Sequence, residues 1–232
     1  MKLLAFETAT EACSVALYVD GAVRERFEVA PRRHAELSLP WAEALLADAG
    51  IARAQLDAIA LSRGPGAFTG VRLAIALAQG IALALDRPIV PVSTLAVLAA
   101  RAEGTRILAA IDARMGEIYA GTFCRVGDAL EATSAETVVA PAEYDLAGTD
   151  ADWHGAGTGF AAADDVLQVR LAERFTHIDA MALPHAADLA HLAAAAYARG
   201  EAIAPELVEP AYLRNNVALT LEEQKALRAA RQ

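Results

Sequence analysis

The chain has 232 residues, 56% of them hydrophobic, with a mean hydropathy of +0.31. That is enough apolar side chain to bury a core without disulfide staples, and too much for a disordered chain. The net charge of −10 and the absence of any basic stripe argue against a protein that grips phosphate backbones by itself.

The acid is unevenly spread. Residues 1–100 carry 9 basic and 10 acidic side chains, residues 101–199 carry 7 and 15, and residues 200–232 carry 4 and 5. The middle third is therefore expected to face solvent or a basic partner. Lysine occurs only as Lys2 and Lys225, and the other basic positions are arginine.

In chain order, Lys2 to Ala9 reads as a strand, Thr10-Glu11-Ala12 as a turn, and Cys13 to Val19 as a second strand. In the second, Cys13, Val15, Leu17 and Val19 alternate with Ser14, Ala16 and Tyr18, the period of a half-buried strand. Asp20-Gly21 is a hairpin turn into a third strand from Ala22 to about Val29. A helix is predicted from about His34 to Ala49. Gly50 ends it, and Pro40 should kink it or delay its start.

Leu56 to Ser62 reads as a buried strand, followed by a glycine-rich loop and a long helix from Phe68 to Leu85. Asp86-Arg87-Pro88 stops the helix, and Ile89 to Val92 is a short strand. Antiparallel hairpins followed by strand–helix alternation predict a mixed sheet.

A second unit of the same pattern begins near Thr105. It has strands Arg106–Ile111 and Glu117–Cys124, a Val126-Gly127-Asp128 turn into a third strand, and a short helix from Pro141. A strand ends at Trp153-His154 against glycines. Next come a helix from Phe160 to about Leu171, a strand Phe175–Ile178 and a helix Ala186–Arg199. Thr220 and Glu223 form a capping box for a last helix.

Gly64-Pro65-Gly66-Ala67-Phe68-Thr69-Gly70 lies between a strand and a helix start, a position suited either to an anion or to a tight structural turn. It lacks the closing Lys-Ser/Thr of a P-loop and the spacing of a dinucleotide fingerprint. Glu7, Thr8 and Thr10, at a strand end and turn, offer groups for a metal–phosphate pair, although polar turn residues are common. The weak nucleotide-site candidates are therefore Glu7, Thr8, Gly64, Gly66 and Thr69.

None of His34, His154, His177, His185 and His191 makes an H-x-x-x-H pair, so no metal site is expected. Cys13 and Cys124 read as small core residues of a reduced compartment. The apolar run Leu73–Leu85 is too short to span a bilayer, and a soluble, cytoplasmic protein is expected. The Phe68 helix is apolar nearly all round, which predicts burial on two sides, by the core and by either a partner or the rest of the fold.

Taken together, several motifs resemble one family. Phe6-Glu7-Thr8-Ala9-Thr10, the Gly64–Arg72 run Gly-Pro-Gly-Ala-Phe-Thr-Gly-Val-Arg, Pro91-Val-Ser-Thr-Leu95, Ile111-Asp112-Ala113-Arg114 and Tyr212-Leu213-Arg214 occur in that order. They are similar to the TsaB (YeaZ) family of bacterial tRNA threonylcarbamoyladenosine biosynthesis proteins, through the whole chain. The Gly-Pro-Gly-x-Phe-Thr-Gly-x-Arg run is the most specific of them.

The resemblance implies an α/β fold of the actin-like ATPase-domain type (ASKHA, ribonuclease H-like), with two lobes of mixed sheet and helices. Residues 1–104 would form the first lobe and 105–232 a smaller one whose C-terminal helices pack back on the first. It implies a non-catalytic subunit that binds and activates a TsaD-type transferase in making N6-threonylcarbamoyladenosine next to the tRNA anticodon. ATP and metal would sit on partner subunits, none being the chain's own cofactor. A TsaE-type ATPase would be a further partner, tRNA would be met indirectly, and a homodimer could form in the transferase's absence. The two helices from His34 and Phe68 would meet the partner through Leu37, Trp41, Leu45, Val71, Arg72, Ile75 and Leu77. The alternative is a self-sufficient ATPase or kinase of the same superfamily.

Overall fold

The computed structural model describes residues 1–214. The Thr220–Glu223 capping box lies outside the described residues.

Strands β1 (Lys2–Glu7), β2 (Ala12–Val19), β3 (Ala22–Val29), β4 (Ala58–Ser62) and β5 (Ile89–Val92) form one sheet in the order β3-β2-β1-β4-β5. β1 pairs antiparallel with β2, and β2 with β3; β1–β4 and β4–β5 are parallel. The expected mixed sheet is therefore present. Helices α1 (His34–Ala49) and α2 (Phe68–Leu85) cover one face, where Leu4, Phe6, Val15, Leu17, Ile59 and Leu61 meet Leu45, Leu46, Val71, Ala74, Ile75 and Ala78. Helix α5 (Ala186–Ala198) covers the other, packing Leu189, Ala190 and Ala193 on Leu3, Ala5, Ala16, Ala58 and Ala60.

This double cover corrects the half-buried reading of β2. Residues Ala12 to Leu17 are all buried, because both faces of the strand are roofed by helices. The last α-helix among the described residues thus belongs in space to the first sheet, although its sequence lies in the second half. Its N-terminus is tied there by Glu25, whose Oε1 accepts from Ser14 Oγ (2.6 Å) and Ala187 N (3.0 Å).

The second sheet repeats the topology. β6 (Arg106–Arg114), β7 (Glu117–Val126), β8 (Ala129–Ala132), β10 (Trp153–Ala156) and β11 (Phe175–Asp179) run in the order β11-β10-β6-β7-β8, with β9 (Thr137–Val139) added to β7. β6–β7 and β7–β8 are antiparallel, and β6–β10 and β10–β11 parallel. Each half therefore has an antiparallel meander followed by parallel crossovers, the duplicated plan of a two-lobed α/β fold.

Several elements depart from the sequence reading. Helix α1 is continuous through Pro40, which sits on its exposed side, where water can serve the carbonyl left without a partner. Helix α3 (Thr94–Ala100) was not expected. The Ser93 hydroxyl caps it, accepting from Leu95 N at 3.1 Å and Ala96 N at 3.3 Å, and it packs against β6. No helix starts at Pro141. A turn closed by Glu143 N to Ala140 O stands there, delivering Tyr144 and Leu146 into the second core. Helix α4 (Ala162–Arg170) begins later than Phe160, because that ring is pulled fully into the same core. Cys13 is buried as expected, but Cys124 is only half-buried.

Candidate functional site: an interlobe cleft and an open helix face

A cleft of about 760 Å³ lies between the two lobes. Lobe one lines it with Thr10, Glu11, Arg32, His34, the start of α2 from Gly66 to Leu73, and the turn before α1. Lobe two contributes Ile111 to Met115 at the β6–β7 hairpin, Tyr119 and Thr158. The segment Pro210–Arg214 crosses the rim between them.

That segment is held at both ends. Ala211 N donates to Arg63 O at 2.8 Å in lobe one. Arg214 reaches the lobe-two hairpin, pairing with Glu117 and donating to Ala113 O (3.3 Å) and Arg114 O (3.4 Å). Between them the Tyr212 hydroxyl bonds the Arg72 guanidinium, whose carbon lies 3.3 Å from the Phe68 ring centroid and 5.0 Å from that of Tyr212.

The five nucleotide-site candidates separate sharply. Glu7 and Thr8 are fully buried and do not line the cleft. Glu7 Oε1 accepts from Ala9 N at 2.8 Å, and Oε2 accepts from Ser62 Oγ. Thr8 Oγ1 donates to Gly70 O at 2.7 Å. Gly64 is buried as well, with φ of +97°, a conformation that suits glycine. Only Gly66 and Thr69 line the cleft.

The glycine loop therefore closes down on the end of β1. A Cβ at Gly66 would stand 2.4 Å from Ala9 O, and one at Gly70 would stand 1.9 Å from Thr8 O. The space that glycine frees is filled by the chain's own backbone.

Burial drives the Glu7 carboxyl up from the usual 4.5 to about 7, against the smaller lowering effect of the Ser62 and Ala9 hydrogen bonds. A carboxyl whose folded value is raised binds its proton more tightly in the folded state. Its stabilising contribution is complete below pH 4.5 and is lost as pH rises toward and through 7. Glu7→Gln keeps the shape without the charge. It should be more stable than the parent at pH 8 by about 3 kcal/mol, from a rise of about 2.5 pH units at about 1.4 kcal/mol each, and nearly equal at pH 4. Urea unfolding at both pH values measures this, and a difference that does not change with pH would contradict it.

The expected partner-facing residues also separate. Leu37, Leu45, Val71 and Ile75 are buried in the chain's own first-lobe core. Trp41, Arg72 and Leu77 are half-buried. Within this chain α2 is buried on one side only, so the rest of the fold does not supply the second cover. One face, from Val71 through Ala74, Ile75 and Ala78 to Ala82, packs on the sheet, and the other is open.

Along the open side run Thr69, Leu73, Ala76, Gly80 and Leu83, spaced four and three residues apart in alternation. All are exposed except Leu73, which is half-buried. This is the spacing of a helix–helix seam, with small residues at its centre that let another backbone come close. The sequence could not choose between the faces, because both are apolar. α2 is also the one described helix long and apolar enough to cross a membrane, yet its inner face is part of a sheet-covering layer.

Among the described residues no group of three His, Cys, Asp or Glu side chains is placed to hold a metal ion.

These features define a two-lobed, actin-like α/β protein, and comparison with known proteins agrees. The family described as TsaD, tRNA N6-adenosine threonylcarbamoyltransferase, matches residues 27–221. The chain is 41% identical over 233 residues to the tRNA threonylcarbamoyladenosine biosynthesis protein TsaB of Escherichia coli, covering 94% of this chain and 96% of that one. It is 36% identical over 229 residues to the TsaB of Haemophilus influenzae, covering 94% and 95%. The solved structure of YeaZ from Pseudomonas aeruginosa superposes with a TM-score of 0.83 at 45% identity, covering 91% of this chain and 99% of that one. The chain belongs to the TsaB (YeaZ) family, within the wider group that the TsaD description covers.

Proposed function

We propose that this chain is a non-catalytic subunit of the machinery that forms N6-threonylcarbamoyladenosine in tRNA, binding and activating a TsaD-type transferase. The observation that carries the reading is the relationship to E. coli TsaB over nearly the full length of both chains. Two structural features support the subunit role. The strand-end acid and hydroxyl, Glu7 and Thr8, are sealed beneath the glycine loop and do not line the cleft. The apolar outer face of α2 is open, with the small residues Ala76 and Gly80 at its centre.

In this reading α2 docks a helix of the transferase across Leu73, Ala76, Leu77, Gly80 and Leu83, with α1 alongside it. The same face accommodates a second copy when the transferase is absent. ATP and metal belong to partner subunits, a TsaE-type ATPase among them, and the complex works in the cytoplasm.

Mixing the purified chain with a TsaD-type subunit tests the reading directly. They should co-elute on size exclusion as a complex, and titration calorimetry of the chain alone with ATP should give no tight binding. A chain that ignores the transferase and turns over ATP by itself would instead be a self-sufficient ATPase or kinase.

A further inference from the structure

We propose that the interlobe cleft holds a single-stranded stretch of RNA, with its phosphates on Arg32, Arg72 and Arg114 and its bases against Phe68 and Tyr212. This rests on the tRNA role above and deepens it, by giving this acidic chain a direct contact with the RNA.

The charge of the cleft differs from that of the molecule. Four arginines line it, Arg32, Arg72, Arg114 and Arg214, against two acids, Glu11 and Asp112. Arg214 is taken by Glu117 and is largely buried, whereas Arg114 meets Asp112 at 3.1 Å through a side chain that stays 80% exposed. Arg32 and Arg72 make no ion pair among the described residues. Screening at physiological salt acts over about 8 Å, so a ligand in the cleft feels this cluster more than the net charge of −10.

The aromatic groups fit the same ligand. Phe68 is 65% exposed and Tyr212 59% exposed, and the Arg72 guanidinium lies against both rings. Arginine interleaved with open aromatic faces is how single strands are held without sequence preference, the cations on phosphates and the rings under bases. Arg32 projects from the turn before α1, and Arg114 from the β6–β7 hairpin. The cations thus reach the cleft from both lobes, as a strand threaded between them requires.

A mononucleotide fits less well. Its phosphates would need the glycine loop as a cradle, and there the Thr8 and Ala9 backbone already occupies the space.

The test is the double variant Arg32→Glu/Arg114→Glu, two exposed changes with no core contact. Filter binding of an unmodified tRNA transcript to the complex of this chain with its transferase should weaken at least about tenfold. The salt dependence should become shallower by about 1.4 in log–log slope, from two lost phosphates at about 0.7 each. Co-elution with the transferase should not change. Parental affinity and slope in the variant complex would overturn the proposal, as would tight arginine-dependent binding of ATP by the chain alone.

If the parent chain does not assemble with the transferase, the functional reading itself has failed. Fluorescence anisotropy of a short RNA stem-loop with the isolated chain then decides the cleft. Binding that the double variant loses supports it, and no arginine-dependent binding overturns it.

Discussion

Gly80→Glu should leave the chain folded and abolish its association with the transferase subunit. Gly80 lies in the middle of α2, on the exposed side, and a Cβ built there meets nothing within 4 Å. Replacing a mid-helix glycine removes its entropic cost, so the isolated chain should keep its thermal midpoint or gain about 0.5–1 kcal/mol. In the proposed seam the same position lies between Ala76 and Leu83, where another helix would pack closely. A glutamate there brings both bulk and an unpaired charge into an apolar contact. Leaving a charge buried and unpaired at an interface costs about 2–5 kcal/mol, which is roughly 30-fold to several thousand-fold in affinity. Size exclusion with the transferase and a melting curve of the chain alone separate the two effects. Parental affinity in the variant would remove α2 from the interface.

Gly70→Ala should have the opposite profile, a folding defect with no direct bearing on ligands. Its Cβ would stand 1.9 Å from Thr8 O, and that oxygen belongs to backbone that cannot rotate away. The Thr8 side chain is fixed as well, by its 2.7 Å bond to Gly70 O. Either α2 shifts off the end of β1 or the hairpin start moves, and overpacking of this kind costs about 3 kcal/mol or more. For a chain of this size the melting temperature should fall by about 6–12 °C. Gly66→Ala should follow for the same reason, its Cβ being 2.4 Å from Ala9 O. Lost activity in either variant is therefore not evidence for a nucleotide on the loop. Parental stability in both would contradict the packing role of these glycines.

The architecture was legible in the chain wherever local signals were strong. The Asp20-Gly21 hairpin, the β4–loop–α2 unit and the glycine stop of α1 all stand where turn and cap chemistry put them. Helix α3 was missed because seven residues after Ser93, Thr94 and six apolar ones, are too few to display a period. Burial of both faces of β2 was missed because the covering helix, α5, lies more than 160 residues further along the chain.

The site was less legible, for two physical reasons. In α2, alanine and leucine occupy every face, so hydrophobicity alone could not say that Val71 and Ile75 point inward while Ala76 and Gly80 point out. The arginine cluster is assembled from positions 32, 72, 114 and 214, each an isolated cation in sequence. A count by thirds of the chain dilutes such a cluster into an acidic background. The family motifs located the cleft better than charge did, since the Gly64–Arg72 run, Ile111–Arg114 and Tyr212–Arg214 all converge on it.

The central claim is that this chain is a required but non-catalytic partner in tRNA threonylcarbamoylation. The most direct measurement is the reconstituted reaction: purified transferase, its ATPase partner, activated threonylcarbamoyl donor and unmodified tRNA, with and without this chain, read as modified adenosine by mass spectrometry of the digested tRNA. Modification that appears only when the chain is added, together with no product from the chain and donor alone, is the predicted result. Full modification without the chain, or product formed by the chain in the absence of the transferase, would contradict it.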